Sequence, residues 1–143
     1  MKILGTGLSG LVGSKFVKLY TNTHSFQNLD LTSGVDILNE SQVQSAFEKS
    51  DAPVVVHFAA FTDTQKAFEQ NGDKEGPAYK VNVIGTRNVL MAAIAYHAER
   101  FVLVSTDKAC QPTSVMGATK RLAEMVTLSH SKSLIRGSVV RLG

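Results

Sequence analysis

Thr106, Asp107 and Lys108 stand side by side after an apolar run, putting a hydroxyl, a carboxyl and an amine at one point of the chain. That trio is equipped for proton transfer, with a turn after a strand as the plainer use of the same residues. Met116 and Lys120 follow, four positions apart. On a helix they share one face, where a lysine ammonium could lower the pKa of a phenol, but the thioether of Met116 carries no proton. Whatever chemistry this segment performs, its proton must travel by another route.

A second group opens the chain. Thr6-Gly-Leu-Ser-Gly-Leu-Val-Gly13 lies between an apolar run and an apolar helical pattern. Such a loop brings backbone N–H groups and a helix N-terminus onto a pyrophosphate: Gly7 permits the turn, Gly10 the approach of the phosphates and Gly13 the packing of helix on strand. Leu8, Ser9, Leu11 and Val12 fill the remaining positions of the expected cradle. Asp30, about 20 residues on, can accept hydrogen bonds from both ribose hydroxyls and would repel a 2′-phosphate, favouring NAD over NADP. Asp36, with Ile37, is placed to meet the adenine, although Asp36 or Asn39 could equally cap a helix. Phe58, Ala59 and Ala60 close a further apolar run, and the alanines are small enough for a cofactor to lie across them.

These groups need a scaffold. Six apolar runs, Lys2–Thr6, Ser25–Leu31, Val35–Ile37, Pro53–Ala60, Arg100–Ser105 and Ser138–Leu142, alternate with helical patterns at Leu11–Tyr20, Glu40–Lys49, Thr64–Gln70, Pro77–Ala98 and Ser114–His130. Alternation of this kind predicts an α/β fold, a Rossmann-type doubly wound parallel sheet with helices on both faces. Pro77 suits a first helical position, and Thr113 or Ser114 can cap the last helix. The run Leu90-Met-Ala-Ala-Ile-Ala95 is apolar nearly all round, which predicts burial on two sides and a homodimer through helices 77–98 and 114–130.

Composition narrows the rest. The 143 residues are 43% hydrophobic and 19% charged, with a net charge of +3, as expected of one globular domain. Lys and Arg are scattered rather than striped, which argues against nucleic acid. The single cysteine, Cys110, cannot form an internal disulfide and fits a reducing cytoplasm. Glycines and lysines interrupt any signal-peptide core, and no segment approaches a membrane span. His24, His97, His130 and Cys110 make no metal-ligand spacing, and His57, within an apolar run, reads as a hydrogen-bonded core residue. The apolar strand at Val139–Gly143 with no helix after it suggests that residues 1–143 are an NAD-binding domain without the lobe that recognises a substrate.

Thr6–Gly13, Ala59-Ala60, Asn82-Val-Ile-Gly-Thr-Arg-Asn88 and Ser105–Lys120 together resemble the extended short-chain dehydrogenase/reductase family, the NAD-dependent epimerases and dehydratases. Ser-Thr-Asp-Lys-Ala109 with Pro112-Thr-Ser-Val-Met-Gly-Ala-Thr-Lys-Arg-Leu-Ala-Glu124 is most similar to the UDP-N-acetylglucosamine 4,6-dehydratases of polysaccharide biosynthesis, some of which carry methionine in place of tyrosine. His57-Phe-Ala-Ala-Phe-Thr-Asp-Thr-Gln-Lys66 looks more like dTDP-4-dehydrorhamnose reductases.

The resemblance implies NAD, a nucleotide-sugar substrate and roles for five residues. Thr106 would bind the sugar's 4-oxygen and Lys120 the nicotinamide ribose. Lys108 would remove the C5 proton, Asp107 would protonate the departing 6-hydroxyl, and Met116 takes the tyrosine position. A lysine base must be neutral, so Lys108 calls for burial or a nearby positive charge. A nucleotide-sugar epimerase, a 4-keto-sugar reductase and a non-catalytic NAD-binding module are the other readings.

Overall fold

The computed structural model describes residues 1–69, 73, 75–131 and 134–143. Five strands, β1 (Lys2–Thr6), β2 (Ser25–Leu29), β3 (Val54–His57), β4 (Arg100–Thr106) and β5 (Arg136–Leu142), form one sheet in the order β2-β1-β3-β4-β5, with every pair parallel. The helices are α1 (Leu11–Tyr20), α2 (Glu40–Glu48), α3 (Thr64–Glu69), α4 (Pro77–Tyr79), α5 (Thr86–Ala95) and α6 (Val115–His130). A π-helical stretch, Lys80–Gly85, joins α4 to α5. Gln70, the expected last residue of the third helix, lies outside the described residues.

Parallel strands need crossovers, and right-handed crossovers in this order put α1 on one face and α2, α5 and α6 on the other. Packing agrees. Leu4, Val55, Phe101 and Leu103 of the sheet share a core with Val43 and Phe47 of α2, Val89, Leu90 and Ala93 of α5, and Ala123 of α6. On the opposite face, Phe16 of α1 stacks on Phe26 and Phe58, with ring centroids 5.7 and 5.4 Å apart.

Two expectations fail for local reasons. Val35–Ile37 is not a strand. Asp30 leaves β2 and caps a 3₁₀ turn, Leu31–Ser33, which ends at Gly34 in the left-handed region (φ 80°). The chain is then spent in a turn held by Leu38 N–H on the Asp36 carboxylate. Ile37 is apolar because it is buried against Gly85, where a Cβ would come within 2.5 Å of Ile37 Cδ1. The fourth predicted helix stops at Ala95 rather than Ala98. His97 adopts φ 59° while its N–H reaches Ile94 O and the Ala98 N–H reaches Ala93 O, a Schellman ending that usually carries glycine.

One charged group decides where α6 sits. Glu124 is 1% exposed, and its carboxylate accepts from Ser105 of β4 (2.7 Å), from Nε and a terminal nitrogen of Arg141 of β5 (2.9 and 2.7 Å) and from Arg121 (2.9 Å). Burial by itself would raise its pKa, but these donors lower it from 4.5 to about 2. A depressed carboxyl stabilises the fold above its unfolded pKa and loses that contribution as pH falls towards the folded value. Glu124→Gln is expected to cost about 1.5–3 kcal/mol through weakened charge-assisted hydrogen bonds to Ser105 and the two arginines, which keep access to solvent. Urea titrations should also show the acid loss of stability between about pH 4.5 and 2 shrinking in the variant.

Candidate functional site

β1 ends at the glycine loop. Gly7 has φ 67°, and a Cβ there would stand 2.8 Å from the Ala59 amide nitrogen, so the loop lies directly against the exit of β3. Gly13 is as confined: its Cβ would meet Gly7 O at 2.4 Å and Leu8 Cα at 2.7 Å. Gly10 donates to Gly7 O and stands at the N-cap of α1 without a capping side chain. The first turn of α1 contains no acid, so its unpaired N–H groups and the helix dipole suit an anion. Gly7, Gly10, Leu11, Val12 and Gly13 line a cleft of about 620 Å³, and Phe58, Ala59 and Ala60 continue its floor.

The other residues of the predicted cradle stand outside that cleft. Thr6 is fully buried, and Leu8 plugs the space above Gly5, where a Cβ would come within 2.5 Å of it. Ser9 donates both its N–H (3.1 Å) and its hydroxyl (2.6 Å) to Asp30. Asp30 also accepts from Asn28, from the Thr32 N–H and hydroxyl and from the Ser33 N–H. Burial opposes the ionised form, but hydrogen bonds from Ser9, Thr32 and Asn28 hold the carboxyl well below the usual carboxylate range. Asp30 therefore latches the glycine loop to the end of β2. Asp36 closes its own turn, Asn39 caps α2 through the Gln42 N–H, and the carbonyl of buried Ile37 accepts from Asn88.

The exit of β4 forms the opposite wall, where Thr106, Asp107, Lys108, Met116 and Lys120 all line the cleft. Thr106 donates to Asp107 (3.0 Å) and accepts from the Lys108 N–H (3.3 Å), capping a 3₁₀ turn, Asp107–Ala109. Lys108 Nζ is 3.8 Å from Asp107, and the two side chains are 58% and 64% exposed. The burial that a neutral lysine calls for is therefore not supplied by the described residues. Gly117, whose Cβ would lie 2.5 Å from Lys108 O, lets α6 start directly under this turn, and Ser114 caps the helix through the Gly117 N–H.

Met116 packs with Ala67 and Ala78 beside Phe61 and Val115. One turn on, Lys120 is 4% exposed and donates to Val104 O at 2.9 Å. Burial lowers its pKa from 10.5 to about 8, against the opposing pull of Glu124.

Several positioning groups escaped the sequence argument. Asn82 grips the backbone of Phe61, accepting from its N–H (2.8 Å) and donating to its C=O (3.0 Å), and also donates to Thr119, whose hydroxyl bonds Met116 O. It thereby ties the β3 exit to the start of α6. Polar Asn82, Thr86 and Asn88 inside an apolar helix were the available signal, since buried polar residues in such a run need partners. Thr62 and Thr64 also line the cleft.

Residues 3–143 match the family described as polysaccharide biosynthesis protein. The chain is 39% identical over 113 residues to a probable polysaccharide biosynthesis protein, EpsC, of Bacillus subtilis, covering 78% of the chain and 18% of that protein. It is 35% identical to an uncharacterized membrane protein of Methanocaldococcus jannaschii over 99% of the chain and 48% of that protein. The chain thus spans about half or less of the length of these curated relatives. No helix among the described residues is long and apolar enough to cross a membrane.

Among solved structures, a dTDP-4-dehydrorhamnose reductase of Clostridium acetobutylicum superposes with a TM-score of 0.82 at 31% identity, over 99% of this chain and 52% of that one. The Thermus thermophilus UDP-glucose 4-epimerase, a complex with NAD, shares the fold with a TM-score of 0.84 at 23% identity over 99% of this chain and 54% of that one. A Bacillus anthracis reductase of the same fold holds NADP. Taken with the parallel sheet and the glycine loop that opens onto its carboxyl edge, these matches place the chain in the polysaccharide-biosynthesis branch of the extended short-chain dehydrogenase/reductase family.

Proposed function

We propose that the protein is the NAD-binding part of a nucleotide-sugar 4,6-dehydratase of polysaccharide biosynthesis, with a UDP-sugar as the favoured substrate. The observation that carries this reading is the shared cleft: the glycine loop, Thr106-Asp107-Lys108 and the Met116–Lys120 face all open onto one space. A pyrophosphate is suited by the start of α1, which has no capping side chain at Gly10 and no acid in its first turn and opens onto the cleft through Gly10, Leu11 and Val12. Asp30 stands at the end of β2 as a latch on the glycine loop, and its negative charge there favours NAD over a dinucleotide with a 2′-phosphate.

A dinucleotide held along Gly7, Gly10, Leu11 and Val12 would supply the hydride acceptor for C4 and the hydride donor for C6. The chain handles the protons. With no phenol at 116, the 4-hydroxyl proton passes through Thr106 to Asp107, whose oxygen is 3.0 Å from the Thr106 hydroxyl. The C4 ketone acidifies C5, Lys108 takes that proton in a neutral form that requires bound substrate to bury a side chain 58% exposed on its own, and Asp107 gives its new proton to the departing 6-hydroxyl. Lys108 then returns its proton to C5, so both side chains end as they began and one water is lost. Absence of the phenol is expected to cost about two to four powers of ten in rate.

Two other readings have their own support. The likeness to the Clostridium reductase favours a 4-keto-sugar reductase, and the apolar packing of Met116 favours a non-catalytic NAD module. Incubation of a full-length version of the protein with NAD and UDP-N-acetylglucosamine is expected to yield a product lighter by one water. Unchanged mass with inverted C4 would indicate an epimerase, stoichiometric use of reduced cofactor a reductase, and NAD binding without turnover the non-catalytic module.

Lys120 predicts the pH profile. A lysine with its pKa lowered to about 8 is charged below that value and neutral above it, so any step that uses its charge declines as pH rises through about 8. Lys120→Arg, charged throughout, should remove this basic limb from the pH–rate profile even if the rate falls. The same reading includes a homodimer through α5 and α6, which expose Met91, Leu122 and Met125. Sedimentation velocity at micromolar concentration is expected to show it, and monomer alone would dismiss it.

A further inference from the structure

His57 ends β3 beneath the cleft, 1% exposed, with its ring beside Phe101 (centroids 5.9 Å apart). Its Nδ1 is 2.6 Å from the Thr6 hydroxyl and its Nε2 is 2.9 Å from the Thr86 hydroxyl. The direction of each bond follows from the helix end. Thr86 spends its one hydroxyl hydrogen on the Asn82 carbonyl at 2.7 Å, so towards the ring it can only accept. Nε2 of His57 must then carry the proton.

Burial keeps the ring neutral, lowering its pKa to about 3, with the Lys120 charge adding to the effect. A neutral ring with Nε2–H has a bare Nδ1, which accepts from Thr6. Thr6, its hydrogen given to the ring, accepts from the Ala59 N–H at 3.2 Å. Four hydrogen bonds thus run in one direction, from the Ala59 amide through Thr6, His57 and Thr86 to the Asn82 carbonyl.

The last strand pairing between β1 and β3 is Thr6 with His57, and one backbone bond follows it, from Phe58 N–H to Thr6 O at 3.0 Å. The Thr6 side chain extends the ladder by a further residue, to Ala59. That is where Gly7 takes its left-handed turn against the Ala59 amide, and both residues line the cleft. We infer that His57, as the Nε2–H tautomer, is a positioning residue for the dinucleotide: it orients the Thr6 hydroxyl that holds the Gly7 and Ala59 walls of the cleft at a set spacing. The inference rests on the proposed NAD-binding role of this cleft.

Two measurements test it. Long-range ¹H–¹⁵N spectra of the wild-type protein should show His57 protonated at Nε2 alone. Calorimetric titration with NAD should show Thr6→Val binding about tenfold more weakly, the effect of one lost hydrogen bond. Thr6→Ser, which keeps the hydroxyl, should recover the affinity, whereas a purely structural role would change Tm and leave the affinity of the folded protein alone. A wild-type protein that binds no NAD overturns both this inference and the proposed function. NAD binding with an Nδ1–H tautomer, or with undiminished affinity in folded Thr6→Val, overturns this inference alone.

Discussion

A single buried carboxylate, Glu124, sets the frame in which the site exists. It lies on α6 at the end of the stripe Met116, Lys120, Glu124, and it is held by Ser105 of β4 and Arg141 of β5. Apolar packing alone lets a helix slide or roll over a sheet at little cost, whereas a charge in a low-dielectric interior tolerates only positions where its donors reach it. The clamp therefore fixes the rotation of α6, and with it the depth to which Met116 and Lys120 enter the cleft. It also ties down the edge strand β5. The same charge, one turn from Lys120, moderates the loss of basicity that burial imposes there.

Similar logic recurs wherever the walls of the cleft must keep a spacing. Asn82 bridges the backbone of Phe61 and, through Thr119, the carbonyl of Met116. The π-helical stretch at Lys80–Gly85 is where this bridge leaves the helix, in keeping with the tendency of π-bulges to occur at functional positions. Asp30 does the equivalent for the glycine loop, so the cradle is organised by an acid from the neighbouring strand as well as by its glycines. A preformed cradle spends less ordering entropy when it captures a ligand.

Much of this was legible from residue order. The βαβ alternation, all five true strands, the glycine loop, the Met116–Lys120 face and the buried reading of His57 follow from periodicity, punctuation and chemical type. The departures share a cause. Val35–Ile37 looks like a strand because its apolar residues alternate, yet Ile37 is apolar to fill the space above Gly85, and among the described residues β2 pairs with β1 alone and carries no strand on its outer edge. The helix end at His97 lacked the glycine that usually announces one. Leu8, Ser9 and Thr6 share the loop with its glycines, but only backbone direction separates those that line the cleft from those that plug or latch it.

What the sequence determined by itself was the set of chemical groups and their local periodicity: a glycine-rich loop after a strand, and a hydroxyl, an acid and two amines after another. These are short-range properties, dictated by side-chain type and by φ, ψ preference. Tertiary structure alone decided the environment of each group. Lys108 is exposed beside Asp107 while Lys120 is buried with a lowered pKa, although both are lysines in one short segment. Desolvation and hydrogen-bond direction depend on which distant residues pack around a group, and those neighbours come from other strands and helices.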